Sequence, residues 1–225
     1  MIPKADSLHS AVPFAEQTAR DPESRSAEIL NAVRQAFADK GFDGASMQDL
    51  ARAVGMSVGN FYRYFPSKAA IIAQMIAIDM QELSADFAQI LQAPDTVAAL
   101  RETIRRHMEE ENCGQEGALW AEITAAAIRK PDVAAAVRQM DAQILEYLAQ
   151  IFAKIAQVSP AVAAAHFTPH GTLIIMLFKG CLMMMPADPQ AQGALQALVL
   201  RSIDRILDEI LVLSKELPHD PAPLD

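Results

Sequence analysis

The most constraining feature of this chain is a stripe of apolar residues between Asp132 and Gln157. Val133, Val137, Met140, Ile144, Tyr147 with Leu148, Ile151 and Ile155 recur at alternating steps of three and four. That spacing follows the 3.6-residue turn of a helix and is incompatible with the two-residue alternation of a half-buried strand. A helix of that length with one continuous apolar face has to lie against other helices. No segment shows strand alternation, and no internal repeat occurs. Ala and Met are plentiful and aromatic residues make up only 6%. Such residues lose little freedom in a helix, so the composition also favours helices. The expected fold class is all-α.

Punctuation residues divide the rest of the chain. Residues 1–23 have no periodicity and read as a mobile arm. Ser24 or Ser26 caps a helix carrying Ile29, Leu30, Val33 and Phe37, and Gly41 stops it. Ser46, with Asp49 three residues on, forms an S-x-x-D capping box for a second helix through Met47, Leu50, Ala51 and Val54. Gly55 ends it. A third short helix, Ser57 to Tyr64, turns Phe61 and Phe65 inward. Pro66-Ser67-Lys68 then opens a long helix to about residue 91. Further helices are expected over about 95–112, 115–129, 132–157, 168–185 and 190–216, with residues 217–225 as an unstructured tail. Two short helices joined by a tight glycine-containing turn form a helix-turn-helix unit. The implied division is an arm (1–23), a helix-turn-helix unit (24–70), a helical body (71–216) and the tail (217–225).

Charge supports that division. Overall the chain carries −9, which by itself argues against a nucleic-acid partner. Residues 1–70 are neutral, with eight basic and eight acidic residues, and the whole −9 lies in residues 71–225. Within 24–70, six basic residues face four acidic ones. An acidic body leaves only the N-terminal unit able to approach a polyanion.

The third helix has the chemistry for that approach. A recognition helix presents its N-terminal residues to base edges, here Ser57, Val58, Gly59 and Asn60. Asn60 offers a donor and an acceptor to an adenine edge, and Val58 suits a thymine methyl. Gly59 allows a backbone or phosphate to come close. Tyr62, Arg63 and Tyr64 extend the surface with groups suited to phosphates. Ser46 and Lys68 stand at helix N-termini, where phosphate contacts are expected.

The run Ser46-Met-Gln-Asp-Leu-Ala-Arg-Ala-Val-Gly-Met-Ser-Val-Gly-Asn-Phe-Tyr-Arg-Tyr-Phe-Pro-Ser-Lys68 closely resembles the DNA-binding segment of the tetracycline-repressor (TetR) family of transcription regulators. Phe61 departs from the pattern, since Leu or Ile is commoner there, but it remains a core type. The resemblance implies an all-helical homodimer whose C-terminal helices bind a small effector and control repression at a palindromic operator. It places an effector cavity among the middle helices, with His107, Met108, Trp120, Met140, Ile144, Tyr147 and Phe178 as candidate ligand contacts. A small, largely apolar effector is expected. The apolar stripes over about 168–185 and 190–216 are too long for one subunit to cover. Those helices are expected to pair with their copies as a four-helix bundle, Ile206 among the interface residues.

Other chemistries find little support. His107 with Glu110 and Glu111 has metal-compatible spacing, but the chain has no Glu-x-x-His motif and the trio reads as a solvated helix end. His166 and His170 are separated by Pro169. Cys113 and Cys181 lie in no ligand spacing, which suits a reduced, cytoplasmic setting. No nucleophile elbow or phosphate-binding glycine loop occurs, so neither an enzyme nor a cofactor is expected. The thirteen apolar residues from Leu173 to Met185 fall short of a membrane span, which needs about 20. The rival readings are a helical small-molecule enzyme or carrier with an incidental helix-turn-helix, and an activator of the same family.

Overall fold

The structure, a computed structural model, describes residues 22–109 and 113–217. The expected arm up to residue 21, the tail from residue 218, and Glu110 and Glu111 lie outside the described residues. Among the described residues, the chain forms α1 (Pro22–Lys40), α2 (Met47–Ala53), α3 (Val58–Tyr64), α4 (Lys68–Gln92), α5 (Thr96–Glu109), α6 (Cys113–Arg129), α7 (Pro131–Ala156), α8 (Pro160–Met183) and α9 (Pro189–Leu213), and no strand.

The helix starts are written in side-chain caps. Ser46, Ser57, Ser67, Ser159 and Asp188 each accept a hydrogen bond from the backbone N–H three residues on. Each such cap is worth about 1 kcal/mol. At Ser46 the box is complete, because the Asp49 carboxylate accepts the Ser46 N–H in return. Gly41 and Gly55 take the left-handed turns after α1 and α2, with φ of 74° and 66°.

Helix α7 is the axis, packed on α4, α6, α8 and α9, as its apolar stripe requires. Two apolar clusters form along it. The first joins α1 to α3 with the start of α4, with Leu119, Ile123 and Ala126 of α6, and with Val133 and Met140 of α7. The second gathers the end of α4 with α5, the C-terminal half of α7, α8 and α9. The covalent boundary near residue 70 is therefore not a boundary of packing. The DNA-binding unit shares its core with α6 and α7.

Helix α1 begins at Pro22, so Ser24 and Ser26 lie inside it and do not precede it. Two further expectations need correction. Helix α8 begins at Pro160, not near Thr168, and runs through Pro169. An interior proline removes one ladder bond and costs about 3 kcal/mol in isolation. Here Gly171 lets α8 approach Leu145, Leu148 and Phe152 of α7 closely, and that packing carries the helix through. By length and composition α8 alone among the described helices could cross a membrane, but in this fold it packs on α6, α7 and α9. The second correction is Ile206. It is 7% exposed within its own subunit and belongs to the second core cluster. The large apolar residues that α8 and α9 do expose are Leu173, Met176, Leu198, Val212 and Leu213.

Candidate nucleic-acid interface and effector cavity

Helix α3 stands out from the first cluster on one buried contact, Phe61, whose ring lies 5.1 Å from that of Phe65. Burying those two rings turns the opposite face outward. Ser57, Gly59, Asn60 and Arg63 are exposed. Tyr62 and Tyr64 are 48% and 57% exposed, far more than core tyrosines would be. A Cβ built on Gly59 meets nothing within 4 Å, so the chain's own packing does not demand glycine there. The open space is on the outer face, where a phosphate or base edge would come. Val58 is half-buried against the core, which leaves part of its side chain outward. The Ser57 hydroxyl caps α3, and the Ser46 hydroxyl both accepts from Asp49 N–H and donates to its carboxylate.

Lys68 does not point where the sequence suggested. Its ammonium donates to the carbonyls of Phe42, Asp43 and Ala45 at 2.5, 3.3 and 3.1 Å, and lies 4.8 Å from the Phe42 ring centre. All three ammonium protons are thereby matched to carbonyls of the α1–α2 loop. Desolvation lowers its pKa. The same loop is held from α6 and the start of α7. Glu122 accepts the Phe42 N–H at 2.9 Å, and Asp43 pairs with Arg129 and Lys130. Hydrogen bonds from Arg129 and Lys130 keep the Asp43 carboxyl below the usual range.

Between the middle helices lies a cavity of about 280 Å³. It brings together five expected residues, His107, Trp120, Met140, Ile144 and Phe178. Met108 and Tyr147 are not in its lining. Met108 is packed in the second core cluster, with its carbonyl accepting from Gln196 at 2.6 Å. Tyr147 stacks on Phe87 at 4.8 Å and directs its hydroxyl toward Gln143.

Apart from His107, sequence reasoning missed the charged members of the wall. Asp79, Glu82 and Asp86 stand at i, i+3 and i+7 on α4 and line the same cavity, with Lys179 opposite. Their spacing on an otherwise apolar helix was the available signal. Asp86 accepts from Arg106 at 2.6 Å and from His107 Nε2 at 2.7 Å. Burial pushes its carboxyl up, but those hydrogen bonds outweigh burial and hold it below the usual range. Lys179 pairs with Asp141 and lies 5.7 Å from the Trp120 ring centre. Asp79 pairs with Arg34, a residue of α1. Burial raises the Asp79 carboxyl above its ordinary value despite that partner. Among the described residues, no three His, Cys, Asp or Glu side chains gather as a metal site would require.

A capped helix-turn-helix with an outward polar recognition face, carried on a helical body with a ligand-sized cavity, defines a DNA-binding transcriptional regulator. Residues 29–75 match the family described as bacterial regulatory proteins, tetR family. The chain is 32% identical over 178 residues to the HTH-type transcriptional regulator UidR of Escherichia coli (strain K12), covering 78% of this chain and 88% of UidR. It is 30% identical over 78 residues to the HTH-type transcriptional repressor KstR2 of Mycolicibacterium smegmatis, 35% of this chain and 38% of KstR2. The fold matches Salmonella enterica GusR with a TM-score of 0.68 and 26% identity, over 86% of this chain and 98% of GusR. The chain belongs to the TetR family of transcriptional regulators.

Proposed function

We propose that the chain is a cytoplasmic repressor that binds a palindromic operator as a homodimer and releases it when a small, largely apolar effector enters the cavity lined by Trp120. The observation that carries this reading is the Arg34–Asp79 pair. It ties a cavity wall residue directly to the first helix of the DNA-binding unit. Ser46, Ser57, Val58, Gly59, Asn60, Tyr62, Arg63 and Tyr64 form the DNA face. Lys68 acts behind it by fixing the α1–α2 loop.

The mechanism is a population shift. Two recognition helices of a dimer must meet successive major grooves about 34–36 Å apart. An effector that favours a different setting of α4 against α1 and α6 disfavours that spacing, and operator affinity falls by the effector's differential affinity for the two states. The exposed stripe of Leu173, Met176, Leu198 and Val212 supplies the apolar surface for pairing α8 and α9 with their copies.

The test is selection of operator DNA from a random pool by the purified protein, followed by effector titration against the operator complex. Trp120, the only tryptophan, reports cavity occupancy by fluorescence. Linkage requires operator to weaken the effector by the factor by which the effector weakens operator, about 5–150-fold for typical couplings. Binding at Trp120 that is indifferent to operator would remove the sensing role. Failure to enrich any palindrome would remove the operator role.

A further inference from the structure

The inner cavity has a neighbour. On the outer side of α4 and α7 an open groove of about 420 Å³ runs between the two helices. Met80 and Met140 line both spaces and form the partition between them. Both are nearly buried, at 7% and 4% exposure. Methionine is unbranched with three rotatable bonds, so a partition of two methionines can adapt by rotamer change more readily than one of branched or aromatic side chains. The Phe87–Tyr147 stack spans the same boundary. Phe87 faces the inner cavity, and Tyr147 lines the groove.

The two spaces differ in chemistry. The inner cavity is mainly apolar, with Asp79, Glu82 and Asp86 along one wall and Lys179 opposite them. In the groove, the polar side chains are Gln81, Ser84, Gln139, Gln143 and Tyr147. All are uncharged groups that both donate and accept hydrogen bonds.

The geometry points to a two-part effector site: the inner cavity takes an apolar body, and the α4–α7 groove takes an uncharged, hydroxyl- or amide-bearing head, with Met80 and Met140 as the gate between them. This rests on the inner cavity being the effector site, and it adds the chemical class of the effector's other end.

The experiment uses four probes with one tail: n-octanol, n-octyl β-D-glucopyranoside, octyltrimethylammonium and octyl sulfate, each below its micelle concentration and read by Trp120 fluorescence of the intact protein. The glucoside is expected to bind about tenfold tighter than either charged probe, the value of one net hydrogen bond. Ala77→Phe fills the exposed groove without reaching the inner cavity. It is expected to abolish that preference while n-octanol still shifts Trp120. Gln139→Glu, on the exposed rim, is expected to move the preference toward octyltrimethylammonium. If the head preference survives both substitutions unchanged, the groove does not hold the head and the proposal is overturned. If n-octanol itself leaves Trp120 unchanged in the unmodified protein, the inner cavity is not an apolar site and the proposal falls with it.

Discussion

Replacing Lys68 by methionine separates two physically different roles for one cation. Methionine keeps most of the apolar stem against Phe42 and removes only the ammonium. What is lost is three charge-assisted hydrogen bonds to the carbonyls of Phe42, Asp43 and Ala45, and the contact with the Phe42 ring. A buried charged hydrogen bond is worth about 1.5–3 kcal/mol, but these carbonyls lie on a half-buried rim where water replaces part of each. Three partly replaced bonds and one cation–π contact amount to about 2–3 kcal/mol. For a chain of this size each kcal/mol lowers Tm by about 2–4 °C, so a fall of roughly 5–10 °C is expected.

The DNA readout discriminates more sharply. A lysine on a phosphate contributes about 0.9 to the slope of log affinity against log salt, or about 1.8 for the two copies in a dimer. Because Lys68 is spent on carbonyls, Lys68→Met should weaken operator binding through the loosened loop while leaving that slope unchanged. Calorimetric melting and fluorescence-anisotropy titrations between low and moderate salt measure both quantities. A slope reduced by about 1.8 with an unaltered Tm would refute the inward assignment and restore the phosphate contact.

Other outcomes follow from the same geometry. Leu198→Asp should give monomers in sedimentation velocity with little change in Tm, whereas Ile206→Asp, inside the subunit core, should unfold the chain; an intact Leu198→Asp dimer would move the interface elsewhere. Arg34→Ala and Asp79→Asn should weaken operator binding by similar factors, and the double variant by no more than either, so additive losses would show that the pair does not couple the two parts. Asp86, held below the usual carboxylate range, contributes stability above its unfolded pKa that is lost as pH falls through its folded one, so Asp86→Asn should flatten the decline in Tm below about pH 4. Asp79, raised by burial, has the opposite sign and loses stability as pH rises through the range above its ordinary pKa. Asn60→Ala should relax preference at one base step, while Arg63→Ala should lower the salt slope at every sequence, as read by binding to a set of single-base operator variants.

The short helices of the DNA-binding unit were legible because their determinants are local. A serine cap, a glycine in a left-handed turn and two phenylalanines four apart each act within a few residues, and the structure places Ser46, Ser57, Gly55, Phe61 and Phe65 as those rules require. The long stripe of α7 was legible for the same reason, since its period is a property of one helix. Helix α8 was misread at its start because Pro169 breaks a helix by a local rule, whereas the close approach at Gly171 that carries the helix through depends on α7. Ile206 was misplaced because a periodic stripe on α9 shows that a face is buried without showing whether its own subunit or a second copy buries it.

The charge count shows the same limit at the functional surface. Six basic residues in 24–70 suggested a positively charged approach to DNA. Of the described ones, Arg34 is held by Asp79, Lys40 by Asp49 at 2.7 Å and Lys68 by three carbonyls. Arg52 touches Asp49 only at 3.4 Å and is 76% exposed, and Arg63 is exposed on the outer face of α3. The excess charge that sequence assigns to the unit is thus divided by the fold. Three cations hold the first two helices and their loop in place, and two remain at the surface, where the proposed reading has them meet phosphate. A cation fixed by a neighbouring carboxylate adds almost nothing to counterion release, because its charge is already compensated at short range. Affinity for the operator then depends less on net charge than on how rigidly Arg34, Lys40 and Lys68 hold α1 and α2, and with them the angle at which α3 meets the groove. In the proposed mechanism that dependence is what would couple the DNA face to the cavity, because one of the three restraining partners, Asp79, is also part of the cavity wall.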